Sequence, residues 1–234
     1  MSDLTFVQVK AVDFRDALRK QESWLAPVER KCLHWLAARM PASVGPDHLT
    51  LLGFTALLLA GVSYGAARWW PPALLLVNVW LAVNWFGDSL DGTLARFRNR
   101  QRPRYGFYVD HMVDSFGALS LIGGLAFSGQ MSERVAVALL VSFLLLSINS
   151  YLATYTLGTF RLSFFKFSPT EIRILLAIGN AVALLQPVVS GFGLFREPVR
   201  FFDLGGAAAV AGMMVVLVVS VIQNTLALYR AEKL

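Results

Sequence analysis

The sequence predicts an all-α integral membrane protein with six transmembrane helices and an N-terminal amphipathic interfacial helix. Of its 234 residues, 56% are hydrophobic and only 15% are charged, which is rare for a soluble domain. Apolar stretches of about 20 residues recur along the chain, and each is long enough to cross a bilayer as a helix. We expect the six spans at residues 49–67, 72–95, 106–127, 133–156, 170–190 and 204–228.

The chain divides into an N-terminal segment, residues 1–45, and a six-helix domain, residues 46–234. In the first segment, Pro27–Met40 is predicted to be an amphipathic helix, with Glu29, Arg30 and Lys31 on its polar side. Such a helix either lies in the headgroup plane of the membrane or packs against the bundle. Its apolar side comprises Val28, Cys32, Leu33, Trp35 and Leu36.

The distribution of basic residues predicts the orientation in the membrane. With a cytoplasmic N-terminus, all but four of the 21 Lys and Arg residues fall in cytoplasmic segments. The four exceptions are Arg68, Arg134, Arg196 and Arg200. Both termini and the polar ends of the second and third spans are therefore expected on the cytoplasmic side. The net charge of +6 reflects this bias and an affinity for anionic lipid, so no nucleic acid partner is expected.

Four aspartates lie at those polar ends. Asp88 and Asp91 are three residues apart, and Asp110 and Asp114 are four apart, so each pair shares one face of a helix. Ionisable residues in membrane helices are costly and indicate a functional site. Four carboxylates that face a common point repel one another unless cations neutralise them. Two hard divalent ions, Mg²⁺ or Mn²⁺, are the expected partners of this oxygen set.

Residues near the two aspartate pairs suit a phosphorylated ligand. Gly92 and Ala95 leave room for a ligand to approach the helix backbone, and Arg96 presents a forked donor for phosphate oxygens. A diphosphate held by metal ions can lose a nucleoside monophosphate to an attacking hydroxyl. That reaction needs a base, for which His111 and Asp114 are the candidates.

The motif resembles the signature of the CDP-alcohol phosphotransferases, also called CDP-alcohol phosphatidyltransferases. The matching pattern is Asp88-x2-Asp91-Gly92-x2-Ala95-Arg96 followed by Gly106-x3-Asp110-x3-Asp114. Nine residues separate Arg96 from Gly106, where the family usually has seven or eight, and we expect the extra residue to bulge in the Arg-Pro loop. The resemblance covers about residues 40 to 230 in architecture and 88–114 in motif.

The resemblance implies a six-helix membrane enzyme of the EC 2.7.8 type, in a family that often forms homodimers. Such enzymes transfer a phosphoalcohol from a CDP-alcohol to a lipid or small alcohol acceptor and release CMP in phospholipid biosynthesis. It also implies that the four aspartates bind two divalent ions. The residues implied to contact CDP are Asp88, Gly92, Ala95 and Arg96.

Shorter patterns favour one branch of this family slightly. Asp110-His111-x2-Asp114 and the downstream Thr170-Glu171 resemble the choline and ethanolamine phosphotransferases, in which the histidine is thought to be the base and diacylglycerol is the acceptor. The alternative branch uses CDP-diacylglycerol and a small polar acceptor such as glycerol phosphate, inositol phosphate or serine, and there Asp114 is the expected base. At the start of the first span, Pro46-x3-Thr50-x2-Gly53 resembles the pattern Pro-Asn-x2-Thr-x2-Gly, with Asp47 in place of the asparagine.

A different functional class also fits six helices with acidic residues, namely an ion or metal transporter. Transport sites lie near the bilayer midplane, whereas these aspartates lie near a strongly basic cytoplasmic edge, which favours the enzyme.

Two further patterns concern packing. Gly61-x3-Gly65 predicts a close helix contact, and bonds between helices are expected for Asn84, Asn149, Asn180 and Asn224.

Overall fold

A computed structural model of the protein describes residues 18–20, 25–157, 159–161, 169–189 and 199–232. Several basic residues used to predict the orientation lie outside the described residues, namely Lys10, Arg15, Lys166, Arg196 and Lys233. The described helices are α1 (Ala26–Arg39), α2 (Pro46–Ala66), α3 (Ala73–Phe97), α4 (Pro103–Phe127), α5 (Glu133–Leu157), α6 (Pro169–Leu185) and α7 (Phe201–Ala231). Short strands form two pairs: β1 (Leu18–Lys20) runs parallel to β2 (Thr159–Arg161), and β3 (Val188–Val189) runs antiparallel to β4 (Val199–Arg200).

Helices α2 to α7 occupy the six predicted spans, and α1 occupies the predicted N-terminal helix. Among the described helices, α2, α3, α5 and α7 are long and apolar enough to cross a membrane, which supports an integral membrane protein. Helix α4 carries Asp110 and Asp114 within its length, and α6 has 17 residues with Arg173 in its second turn. That α4 and α6 also cross the membrane stays a prediction.

Helices α2 and α3 cross at two glycines. A Cβ atom on Gly87 would lie 2.6 Å from the backbone nitrogen of Gly53 and 2.6 Å from the carbonyl oxygen of Leu49. Only a glycine permits two helix backbones to approach this closely. Beside the crossing, the buried Asn84 donates from Nδ2 to the Gly53 carbonyl oxygen at 3.0 Å.

A second close contact joins α2 to α4. A Cβ on Gly61 would collide with Ser120, and one on Gly124 would collide with the carbonyl of Gly61. The close contact predicted from Gly61 is therefore confirmed as packing within the chain. Gly65, by contrast, lies against the side chain of Phe127.

Bonds between helices are confirmed for three of the four asparagines. Asn180 accepts from the Tyr64 hydroxyl at 2.8 Å and donates to Asn78 at 2.7 Å, which joins α2, α6 and α3. Asn149 of α5 donates to the Ser220 hydroxyl of α7 at 2.9 Å. Asn224 differs, because its amide donates to Ser220 of its own helix.

Helix α1 packs against the end of α3 that carries the aspartates. Leu33 and Ala37 are buried in a cluster with Leu49, Leu90 and Leu94. The predicted apolar side is therefore only partly directed inward, since Val28 and Trp35 are exposed. That α1 lies in the headgroup plane of the membrane stays a prediction.

Residues 98–102 connect α3 to α4, and the bulge expected there stays a prediction. Asn99 adopts the left-handed region with φ of +53°, which asparagine enters more readily than most residues. Arg98 anchors the loop by donating to the carbonyl oxygens of Met40, Pro41 and Val44. Arg98 therefore fixes the start of this loop to the segment that joins α1 to α2.

Candidate active site

The first predicted site residue, Asp88, is paired with an arginine of α6. Its Oδ2 accepts from Nη2 of Arg173 at 2.6 Å, and Nε of Arg173 donates to Oδ1 of Asn84 at 2.8 Å. Asp88 and Asn84 are one turn apart on α3, so the guanidinium lies along one face of that helix. Nη1 of Arg173 is buried without a hydrogen-bond partner in the part of the chain that the structure describes.

Asp91 is the buried member of the aspartate set. Its Oδ2 accepts from the Thr50 hydroxyl at 2.6 Å, and its Oδ1 accepts from the backbone N–H of Gly92. Thr50 belongs to the motif at the entry of the first span. That motif therefore has a defined role, because it holds an aspartate of α3 from the neighbouring helix α2.

Helix α4 brings the second pair of aspartates to the same region. Asp114 interacts electrostatically with Asp88, Asp91, Asp110 and Arg173, and Asp91 also interacts with Asp110. Asp110 is half-buried, and Asp114 is exposed. The structure thus brings all four predicted aspartates within electrostatic reach of one another.

The donor set fits divalent cations, although its side chains are not converged on one point. Within the described residues, no group of three or more His, Cys, Asp or Glu side chains is arranged to hold a metal ion. The reason is visible for two of them, since Asp88 turns to Arg173 and Asp91 turns to Thr50. Four carboxylates with Arg173 as their neighbouring cation nevertheless carry excess negative charge, and hard oxygen donors of this kind suit Mg²⁺.

Three of the four residues expected to contact CDP lie on an open face near the end of α3, namely Gly92, Ala95 and Arg96, whereas Asp88 is paired with Arg173. A Cβ on Gly92 would meet only the guanidinium of Arg96, at 3.5 and 3.9 Å, and one on Gly106 would meet no atom within 4 Å. Neither glycine is therefore needed for close helix packing. Ala95 is half-buried, and Arg96 is exposed with Nη2 donating to the Thr93 hydroxyl at 3.3 Å.

Two of the five arginines that alternate along the sequence from Arg96 to Arg104 serve the fold. Arg98 holds the carbonyls that connect α1 and α2, as described above, and Arg102 pairs with Asp47 while lying 4.2 Å from the ring centroid of Tyr105. Arg96 is separate from both, because it lies on the open face beside Gly92.

His111, a candidate base, lies against α5. Its ring is 4.1 Å from the Phe107 ring and 4.4 Å from the Tyr151 ring, measured between centroids. Nδ1 contacts the carbonyl oxygen of Phe107, one turn earlier on α4. A carbonyl only accepts, so Nδ1 is the donor in this contact.

One residue of this region was missed by sequence reasoning. Glu29 of α1 accepts hydrogen bonds from Trp85, Ser89 and Thr170, which come from α3 and α6. In the sequence it is one charged residue among several on an amphipathic helix. Its partners are 56, 60 and 141 positions away, so no local pattern indicates them.

Comparisons with known proteins agree with the motif. Among curated proteins, the chain is 33% identical over 117 residues to the archaetidylinositol phosphate synthase of Pyrococcus horikoshii, which covers 49% of this chain and 55% of that protein. It is also 32% identical over 125 residues to the CDP-diacylglycerol–serine O-phosphatidyltransferase of Encephalitozoon cuniculi. This match covers 51% of this chain and 32% of that protein. The chain thus spans about half the length of the first relative and about a third of the second.

A solved structure is also similar, the Mycobacterium tuberculosis phosphatidylinositol phosphate synthase with CDP-DAG bound. Its TM-score is 0.47 at 22% identity, over 88% of this chain and 92% of that chain. The names of the curated relatives favour the CDP-diacylglycerol branch over the choline and ethanolamine branch, so the slight preference from the short patterns is not supported.

The family model described as CDP-alcohol phosphatidyltransferase matches residues 44–226, which is most of the chain. Members of this family are transferases of the EC 2.7.8 type, act in phospholipid biosynthesis and generally depend on divalent metal. The chain belongs to the CDP-alcohol phosphatidyltransferase family.

Proposed function

We propose that the protein is a membrane phosphatidyltransferase that uses CDP-diacylglycerol and a small anionic acceptor alcohol. It would transfer the phosphatidyl group to the acceptor hydroxyl and release CMP. The family match and the two curated relatives support this branch. The single structural observation that carries the choice of acceptor is the buried, unpartnered N–H group of Arg173.

A buried donor without an acceptor is destabilising, so a ligand group that supplies the acceptor is expected. Arg173 contacts Asp88 and also Asn84, which lies one turn before Asp88 on α3. Of the residues proposed for CDP, Gly92, Ala95 and Arg96 lie on the C-terminal side of Asp88. Arg173 is therefore proposed to bind the acceptor rather than the nucleotide. Phosphate or carboxylate groups on glycerol phosphate, inositol phosphate or serine suit a guanidinium, whereas diacylglycerol carries no anionic group.

The four aspartates are proposed to hold two divalent ions, with Mg²⁺ or Mn²⁺ as the candidates. When bound, such ions supply positive charge that neutralises a diphosphate and favours departure of CMP. Asp88, Asp91, Asp110 and Asp114 are the proposed ligands. Thr50 keeps the Asp91 carboxylate oriented by its hydrogen bond at 2.6 Å.

Asp114 is proposed as the base of the reaction. The acceptor hydroxyl oxygen forms a bond to the β-phosphorus of CDP-diacylglycerol, the bond from that phosphorus to the bridging oxygen breaks, and CMP leaves with that oxygen. The hydroxyl proton passes to the Asp114 carboxylate, which is exposed and therefore reachable by an acceptor. Asp114 is preferred to His111 because the curated relatives favour the CDP-diacylglycerol branch, in which the resemblance implies this aspartate as the base.

We further propose that α4 and α6 complete six spans, with both termini and the aspartates on the cytoplasmic side. The positions of the basic residues support this orientation. An engineered cysteine near Arg230, in a Cys32→Ser background, should resist membrane-impermeant reagents in intact cells and react after permeabilisation. Labelling before permeabilisation would contradict it. Homodimer formation stays a prediction.

The reaction is tested with purified protein in lipid vesicles. CDP-diacylglycerol, CDP-choline and CDP-ethanolamine are offered separately with glycerol phosphate, inositol phosphate, serine or diacylglycerol, and CMP release is measured. We expect release only with CDP-diacylglycerol and an anionic acceptor. Arg173→Gln should raise the KM for that acceptor about tenfold, as expected for loss of a charge-assisted bond. Turnover of CDP-choline with diacylglycerol would refute the proposed branch.

A further inference from the structure

Glu29 joins α1 to both helices that form the Arg173–Asp88 pair. Its Oε1 accepts from Nε1 of Trp85 at 2.8 Å, from the Ser89 hydroxyl at 3.3 Å and from the Thr170 hydroxyl at 2.7 Å. Two donors belong to α3 and one to the first turn of α6. A half-buried carboxylate that receives three neutral donors forms charge-assisted bonds, which are stronger than neutral ones.

Each partner of Glu29 is close in sequence to one of the three residues of the Arg173 contact, namely Asn84, Asp88 and Arg173 itself. Trp85 follows Asn84, and Ser89 follows Asp88. Thr170 is three residues before Arg173, so both lie on one face of α6, separated by one turn. Movement of Trp85, Ser89 or Thr170 would therefore displace the side chains that meet at Arg173.

A second contact holds the same turn of α6 to the start of α1. The side chain of Glu171 accepts from the backbone N–H of Leu25 at 3.3 Å. Helix α1 is itself anchored by Leu33 and Ala37 in the cluster with Leu90 and Leu94 of α3. Helix α1 thus contacts both α3 and α6, on the side of the bundle that carries the aspartates.

We propose that Glu29 is a positioning residue that sets the placement of Arg173 relative to Asp88, and that α1 is consequently part of the functional unit. The catalytic part of this inference rests on the proposed function. Glu29 acts through Trp85, Ser89 and Thr170 and touches no reacting group. Its removal should impair use of the acceptor, which Arg173 is proposed to bind, more than use of the nucleotide donor.

The test compares four variants in lipid vesicles with the wild-type protein. Glu29→Ala removes the acceptor of all three bonds, whereas Glu29→Gln keeps an oxygen that accepts them. Thr170→Val removes one donor with little change of shape. Glu133→Ala is the matched control, because Glu133 is an exposed first-turn glutamate of α5. Steady-state rates give KM and kcat for acceptor and donor, and melting temperatures show whether each variant is folded.

For Glu29→Ala we expect kcat/KM for the acceptor to fall about tenfold or more, as for other small displacements of reacting groups. The KM for CDP-diacylglycerol should stay within about twofold, and Glu29→Gln should recover most of the rate. Combining Glu29→Ala with Thr170→Val should cause no further loss, since both changes break one unit. The control should match the wild type.

Equal losses in Glu29→Gln and Glu29→Ala would overturn the proposal, as would a Glu29→Ala variant that keeps more than half of the wild-type rate. A double variant whose loss is the product of the single losses would also overturn it. If the wild type releases no CMP with any acceptor, the proposed function fails instead. Melting temperatures then decide the positioning: the losses caused by Glu29→Ala and Arg173→Gln should be less than additive in the double variant, and additive losses would refute it.

Discussion

Helices α2 and α3 differ from α5 and α7 in their burial, although all four are long and apolar enough to cross a membrane. In their apolar stretches, 44% of α2 and 39% of α3 is buried within the chain, against 11% of α5 and 6% of α7. Apolar composition predicts that a helix enters the membrane. It does not decide whether its side chains meet protein or lipid.

The difference follows from the residues at the contacts. Gly53 and Gly87 allow α2 and α3 to cross with their backbones in contact. Between α5 and α7, the contacts in the described part of the chain include side-chain packing of Gly206 on Val135 and a hydrogen bond from Asn149 to Ser220. Many apolar side chains of α5 and α7 are exposed on this chain, among them Val141, Leu145, Leu152, Val215, Val218 and Ile222.

The packed pair also carries the first two aspartates. Asp88 and Asp91 lie directly beyond the Gly87 crossing, where the backbone has little freedom to shift. Functional groups need such support, because small displacements impair catalysis. Helices α5 and α7 lack this constraint, and we expect them to tolerate substitution far better. The four predictions below test that contrast.

The largest effect is expected from the charge of Asp91. Asp91→Asn keeps the shape and an oxygen for Thr50 but removes a proposed metal ligand, so CMP release should fall by about 100-fold or more. Asp203→Asn is the matched control, because Asp203 accepts from the Ser132 N–H at 2.6 Å in the other half. It should keep its activity within about twofold. Full turnover of the wild type in a strong chelator would contradict metal dependence.

A smaller but still large effect is expected at the helix crossing. Gly87→Ala places a methyl group 2.6 Å from two backbone atoms, so the free energy of unfolding should fall by about 3 kcal/mol, the upper end for overpacking. Gly212→Ala in α7, where a Cβ meets no atom within 4 Å, should cause no loss. Thermal unfolding in detergent measures both. Equal shifts would show that the two halves do not differ in packing.

Nucleotide binding should respond to Gly92. Gly92→Leu should fold, because a side chain there meets only Arg96, yet it should weaken CDP binding about tenfold by blocking the approach to the backbone. Calorimetric titration with CDP measures the affinity. Gly205→Leu, at another open position, serves as the control. An unaltered affinity in Gly92→Leu would exclude this face as the nucleotide site.

The smallest effect is expected between α5 and α7. Asn149→Ala removes the hydrogen bond to Ser220 and should lower the free energy of unfolding by only about 0.6 kcal/mol, the average for such bonds between membrane helices. Asn84→Ala in the packed half should lower it more, because Asn84 is buried and bonds with both Gly53 and Arg173. Similar losses at the two positions would contradict the comparison.

Local patterns in the sequence were sufficient for much of the fold. The apolar stretches predicted helices at all six positions, and the spacing of Asp88, Asp91, Asp110 and Asp114 predicted that the pairs would face a common region. These predictions succeed because helix periodicity and hydrophobicity depend on residues near one another in the chain.

By itself, then, the sequence determined the helices, the acidic motif and the family to which that motif belongs. Tertiary structure alone decided which apolar helices are covered by the rest of the chain and which stay exposed. It also decided that Arg173 meets Asp88 from α6, that Thr50 holds Asp91, and that Glu29 links α1 to α3 and α6. The physical reason is the same in each case: these contacts join residues 41 to 141 positions apart, and the packing of whole helices determines which distant side chains meet.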